Sequence, residues 1–210
     1  LTPPQIAVAY SIPPGTGYGV KIGIISLGGG FLQSDLNRSL ADLKAAGLIA
    51  SNITVPTIKK VLLDGETGTF SISDGASGEN TVDIYCVATM APLADITIYI
   101  GNTWESPINQ AIADGCHIIT ISWATVEDGG DFLGTIFQTA ENQGMSVCVA
   151  SGDWGSSFPG LTTLKVCYPS SSSRVISVGG TKLTLSLTNT RSSESDDNRD
   201  PLFGTTWGGG

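Results

Sequence analysis

The sequence predicts a three-layer α/β domain built on a mostly parallel sheet. Three observations carry that expectation. Apolar runs rich in β-branched residues recur at fairly even intervals along the 210 residues. Several are apolar at both alternating positions, the mark of strands covered on both faces. Helical patterns separate most of them, and strand–helix–strand spacing implies right-handed crossovers.

The strands are expected at 20–27 (VKIGIISL), 60–63, 96–100 (ITIYI), 117–122 (HIITIS), 145–150 (MSVCVA) and 174–178 (RVISV). A helix over 34–46 places Leu36, Leu40 and Leu43 on one stripe and stops at Gly47. A second, over 79–91, is halted by Pro92. The segment 107–113 opens with Pro107, suited to a first turn, and ends before Gly115. A fourth helix is expected over 131–143, closed by Gly144. From 187 to 201 (LTNTRSSESDDNRDP) apolar residues nearly vanish, which reads as a polar surface loop.

Composition narrows the function classes. Lys and Arg total 10 against 19 Asp and Glu, a net charge of −9. That balance argues against a phosphate-neutralising nucleic-acid binder and against a polybasic membrane-surface protein. Only 14% of residues are charged, against roughly 25% on average, so Ser and Thr, 45 together, supply much of the polar surface. No run approaches the ~20 apolar residues of a membrane span. The four cysteines, Cys86, Cys116, Cys148 and Cys167, form no CxxC pair. Their number permits two disulfides, but Cys86 and Cys148 lie in apolar runs, where a buried free thiol is expected. Asn37 and Asn52 each open an Asn-x-Ser/Thr sequon, a weak pointer to an extracytoplasmic setting.

Chemistry-bearing candidates are few. His117 is the sole histidine and opens an apolar strand, so a core role is expected. No GxSxG elbow and no HExxH or CxxC metal motif is present, and no metal ligands are assigned. Glu79 and Asp83 stand four apart in SGENTVDIYCVATMAP. A helix brings them to one face. Their neighbours are apolar nearly all round, so the helix is expected to be buried, with its N-terminus offsetting part of the cost of placing two acids there. Close carboxylates resist ionising together, which suits a base that shares a proton with an orienting acid. Asp153, in SGDWG, directly follows a predicted strand, at the end of a parallel sheet where ligands bind. Taken singly, each of these also reads as a solvated helix-end acid or a turn residue.

Together and in order, these segments resemble the sedolisin family, serine-carboxyl peptidases on a subtilisin-like fold. LTPPQIAVAYSIP is similar to a mature start after prosegment removal, IGIISLGGG to the first strand and Gly run, and GENTVD to the Glu-x-x-x-Asp helix. HIITISW is similar to the substrate-binding edge, SGDWGS to the Ser-Gly-Asp loop, and YPSSSSRVISVGGT to the segment after it. The resemblance implies Glu79 as general base, Asp83 as its orienting partner and Asp153 as oxyanion donor, with Ser122 and Trp123 on the edge that receives an extended peptide. It implies a secreted or acidic, lysosome-like location, a zymogen origin and a calcium ion.

Two departures stand out. Ser26 occupies the place where some members carry an acid, so the proton network is expected to be shorter. The family's Gly-Thr-Ser nucleophile motif is absent, since Gly204-Thr205-Thr206 lies too early and lacks Ser. The calcium ligands of the family are absent as well. Residues 1–210 are therefore expected to be the N-terminal portion of one peptidase domain, completed by a second fragment or a C-terminal remainder carrying the serine. Acid-acting endopeptidase or tripeptidyl-peptidase activity on peptide or protein substrates follows. The alternative is an inactive peptidase scaffold with an assembly or adhesion role. A glycosidase use of Glu79 and Asp83 fits poorly, because glycosidase carboxylates flank a bond from opposite sides.

Overall fold

The computed structural model describes residues 1–155, 158, 164–185 and 191–195. The chain divides into two compact units, Leu1–Thr120 and Ile121–Gly210.

In the first unit, the short helix α1 (Pro3–Ala9) precedes strand β1 (Lys21–Ser26). Helix α2 (Gln33–Ala45), strand β2 (Lys59–Leu62), helix α3 (Gly75–Met90) and strand β3 (Asp95–Ile100) follow. Helix α4 (Glu105–Ala113) and strand β4 (Ile118–Ile121) complete the run. The strand order is β2-β3-β1-β4. Strand β1 pairs parallel to β3, Ile22 opposite Ile96 and Ile24 opposite Ile98, and β2 pairs parallel to β3 on its other side.

Alternation sends Ile22, Ile24, Ile96, Ile98 and Ile100 to one face, where they bury against Leu36 and Leu40 of α2 and Ile84 and Ala88 of α3. Each such side chain contributes about 1.5–3 kcal/mol relative to exposure. The opposite face carries Tyr99, 1% exposed, and is covered by α4 through Ile108, Ala111 and Ile112. Gly23 of β1 permits this approach, since a Cβ there would lie 3.1–3.3 Å from Cys116, Tyr99 and Ala111. Both faces of this sheet are thus covered, as two-sided apolar strands require. Edge strand β2 departs from that pattern and is mostly exposed, which suits its two lysines.

The second unit contains strand β5 (Thr125–Val126), helix α5 (Gly134–Asn142), strands β6 (Ser146–Ala150), β7 (Cys167–Tyr168), β8 (Ile176–Val178), β9 (Lys182–Leu185) and β10 (Arg191–Ser195). Strand β6 pairs parallel to β8, Cys148 opposite Ile176. It alternates buried Val147 and Val149 with less buried neighbours and packs on α5, which buries Phe137 and Ala140. Strands β5 and β7 pair antiparallel, as do β9 and β10.

Several expectations change. Helix α3 starts one turn before Glu79, because Asp74 caps it, accepting hydrogen bonds from the Ala76 and Ser77 N–H groups. Its surface is not buried all round: Val82 is 57% exposed and Cys86 is also at the surface, so Cys86 is not a buried core thiol. All four cysteines are free. Strand β8 is exposed along its length rather than covered. Within the stretch read as a polar loop, Arg191–Ser195 forms β10, and the remainder of 187–201 lies outside the described residues.

Candidate active site

The first candidate group stands on α3. Residues three and four apart share a helical face, and Ser77, Asn80, Ile84 and Ala88 form the buried one. Glu79 and Asp83 lie roughly 100° round from Asn80 and Ile84. Both are half-buried, one turn apart, and an Asp83 carboxylate oxygen, Oδ2, is shielded from water. Glu79 is the fifth helical residue, past the first turn, so the helix N-terminus offers it little of the stabilisation expected from sequence. Cys86 shares this face. Partial desolvation raises the pKa of its thiol although it reaches the surface, and the charges of Asp83 and then Glu79 raise it further.

The buried face of α3 is tied to the glycine run that leaves β1. Ser77 Oγ accepts the N–H groups of Gly30 (3.1 Å) and Ser71 (3.2 Å) and donates to Asp74 Oδ2 (2.9 Å). Asn80 Nδ2 donates to the carbonyl oxygens of Gly28 (3.0 Å) and Gly30 (3.4 Å). Ser26, fully buried, donates from Oγ to the Gly28 oxygen at 2.7 Å. Gly28 and Gly29 have φ of 108° and 69°, and a Cβ at Gly29 would lie 2.7 Å from the Ser77 nitrogen. Only glycine allows this docking.

A nearby loop in the same unit is held by Asp64. Its carboxylate accepts the Ser106 and Thr103 hydroxyls at 2.8 and 2.9 Å and the N–H groups of Asn102 and Thr103. The Ser106 hydroxyl bond, followed by that of Thr103, lowers the Asp64 pKa below its ordinary 3.8. His117 is exposed rather than a core residue. Its ring Nδ1 accepts the Lys21 backbone N–H at 2.9 Å, and the His117 backbone N–H donates to the Lys21 carbonyl. This pairing at the start of β4 is a structural role, and it keeps the proton of a neutral ring on Nε2.

The second unit carries the other candidates. Strand β4 ends at Ile121, so Ser122 and Trp123 lie just beyond the strand instead of on it. Both are half-buried, and Trp123 Nε1 is buried without a hydrogen-bond partner among the described residues. Asp153 follows β6 at once, as expected, and is exposed. Gly152 turns the chain there at φ 95°, where a Cβ would collide with Cys167 Sγ. Burial leads in raising the Cys167 pKa, and the Asp153 charge adds to it. Glu79 and Asp83 thus belong to one unit, and Ser122, Trp123 and Asp153 to the other.

Sequence reasoning missed Asp74, Ser77 and Asn80. A signal existed for two of them: Asp before Gly75 is a natural N-cap, and Asn inside a helix is unfavourable enough to ask why it is there. Among the described residues no group of three or more His, Cys, Asp or Glu side chains is gathered to hold a metal ion, and no helix is long and apolar enough to cross a membrane. The described residues do not gather the calcium site implied by the resemblance.

Comparison with known proteins adds a lineage. The profile of the Subtilase family matches residues 57–202. Kumamolisin from Bacillus sp. (strain MN-32) is 31% identical over 223 residues, covering 99% of this chain and 39% of kumamolisin. Sedolisin from Pseudomonas sp. (strain 101) is 30% identical over 206 residues, covering 86% of this chain and 33% of sedolisin. The structure of Pseudomonas sedolisin, a serine-carboxyl proteinase complexed with two molecules of pseudo-iodotyrostatin, superposes with a TM-score of 0.72 at 24% identity, over 99% of this chain and 61% of that one. The chain spans less than two fifths of the length of these two curated relatives.

Proposed function

The chain belongs to the subtilase family, and from that premise we propose that it forms the carboxylate-bearing part of an acid-acting serine-carboxyl peptidase. Its relatives are sedolisin-type enzymes with a subtilisin-like fold. The observation that carries the reading is the Glu79–Asp83 pair, one turn apart on a half-buried face of a helix whose other face is anchored by Ser77 and Asn80. An anchored helix holds the two carboxylates in the fixed geometry that proton transfer needs.

In this proposal Glu79 accepts the proton of a serine hydroxyl as the oxygen attacks a peptide carbonyl. Asp83 orients Glu79 and shares its proton. Asp153, protonated, donates to the oxyanion, a role an acid fills only while neutral. The leaving amine takes the proton back from Glu79. Water then hydrolyses the acyl-enzyme, with Glu79 again as base. The serine is proposed to come from sequence outside these 210 residues, a C-terminal remainder or second fragment, since no Gly-Thr-Ser stands here. Ser122 and Trp123 are proposed to receive the substrate backbone. A secreted enzyme working in acid, with calcium bound elsewhere in the protein, completes the proposal.

The test is Glu79→Gln in the peptidase, measured as peptide hydrolysis at its optimal pH. The amide keeps the shape and loses the base, so turnover should fall by about 10²–10⁴-fold with the fold intact. Wild-type turnover in this variant removes the general-base assignment.

A further inference from the structure

We propose that Asn80 is a positioning residue for the Glu79–Asp83 pair, acting through the carboxamide that ties α3 to the loop after β1. The inference rests on the reading of Glu79 as general base. Asn80 is completely buried in the interior of α3, a place where Asn is a poor helix former. Its Nδ2 reaches two carbonyl oxygens of one turn, Gly28 and Gly30. The Gly28 oxygen is already held from below by the Ser26 hydroxyl, so the amide bonds to a fixed point.

Packing alone does not account for this side chain. Asn80 Oδ1 is also buried and has no hydrogen-bond partner among the described residues. An apolar residue of similar size would avoid that cost, whereas a buried acceptor left unmatched carries the desolvation penalty. The carboxamide therefore acts through its two donated bonds. Three residues earlier on the same face, Ser77 Oγ holds the Gly30 N–H. Two attachment points one turn apart fix both the depth of the helix and its rotation about its own axis.

Rotation is the quantity that matters for Glu79. The residue adjacent to Asn80 points roughly 100° away, so locking Asn80 aims Glu79 and, a turn later, Asp83. Productive geometry tolerates only about 10–20° and about 0.5 Å. A misplacement of about 1 Å can cost about 10²-fold in rate. In this proposal Asn80 acts by orientation only.

The experiment measures kcat and KM against pH for the wild-type peptidase, Asn80→Ala, Asn80→Asp and Glu79→Gln, with thermal melts alongside. Asn80→Ala should lower kcat about 10–100-fold while KM stays within about twofold. In Asn80→Asp an ionised carboxylate would face two carbonyl oxygens, and only the protonated acid can donate to one of them. Its rate relative to wild type should therefore recover as pH falls and collapse as pH rises. This pH-dependent ratio also decides the matter if the Ala variant does not fold. A wild-type kcat for Asn80→Ala, or a ratio for Asn80→Asp that is flat across pH, overturns the proposal. If Glu79→Gln loses turnover in those same assays, the base reading survives that failure. If Glu79→Gln stays active, the base reading falls and this inference with it.

Discussion

Two glycine turns leave parallel strands of this chain, residues 28–30 after β1 and residues 152–153 after β6, and they are secured by different means. Each has glycine at positive φ, 108° and 69° at Gly28 and Gly29 and 95° at Gly152. The first turn is held by side chains: Ser26 and Asn80 grip the Gly28 oxygen and Ser77 grips the Gly30 nitrogen. The second is held by the backbone bond from Ser151 N–H to the Val178 oxygen and by contact with Cys167, while Ser151 Oγ is buried without a partner among the described residues. Asp153 itself stands exposed. The oxyanion role proposed for Asp153 asks for a neutral carboxyl at an exposed position, whereas the support of helix α3 is built from buried side-chain bonds.

The largest effect on that contrast, after the loss of the base itself, is expected at Asp153. Asp153→Ala should cost about 10²–10³-fold in kcat, the scale of one oxyanion donor. Asp153→Asn should cost less and flatten the alkaline fall of the rate, because an amide donates at every pH. Steady-state kinetics between pH 3 and pH 7 check both. An Asp153→Asn variant as impaired as Asp153→Ala would show that hydrogen-bond donation is not what this side chain supplies.

A smaller effect tests whether the loops of the first unit keep their ties in acid. The Asp64 carboxyl is held below its ordinary 3.8, first by the Ser106 hydroxyl and then by that of Thr103. A depressed folded-state pKa adds stability that is fully present above the unfolded value and is lost as pH falls through the folded one. Asp64→Asn should thus lower the urea midpoint at pH 6, and the gap to wild type should narrow below about pH 3.8. Urea titrations at pH 6 and pH 3 check this. An equal gap at both would mean that the tie does not depend on the charge.

Much of the first unit was legible in the sequence because its strands are apolar on both faces: β1 and β3 fall within a residue of their expected bounds. Helix α3 was misplaced at its start because Gly75, Ser77 and Gly78 read as loop, and only the Asp74 cap makes them helical. Its exposed face was illegible, since Val82 and Cys86 look like core residues until the register of the helix is known. Strand β10 was invisible because Arg191–Ser195 has neither β propensity nor alternation, and pairing with β9 alone makes it a strand. The candidate acids are proposed from spacing and order, and the bonds that anchor their helix are not legible there, because one such as Asn80 to Gly28 joins positions 52 apart in the chain.

The central proposal is that Glu79, Asp83 and a protonated Asp153 carry the reaction, and the pH–rate profile of kcat/KM tests it most directly. The proposed mechanism predicts an optimum below about pH 5, with the rate falling as pH rises. A profile peaking near pH 7.5 would contradict it.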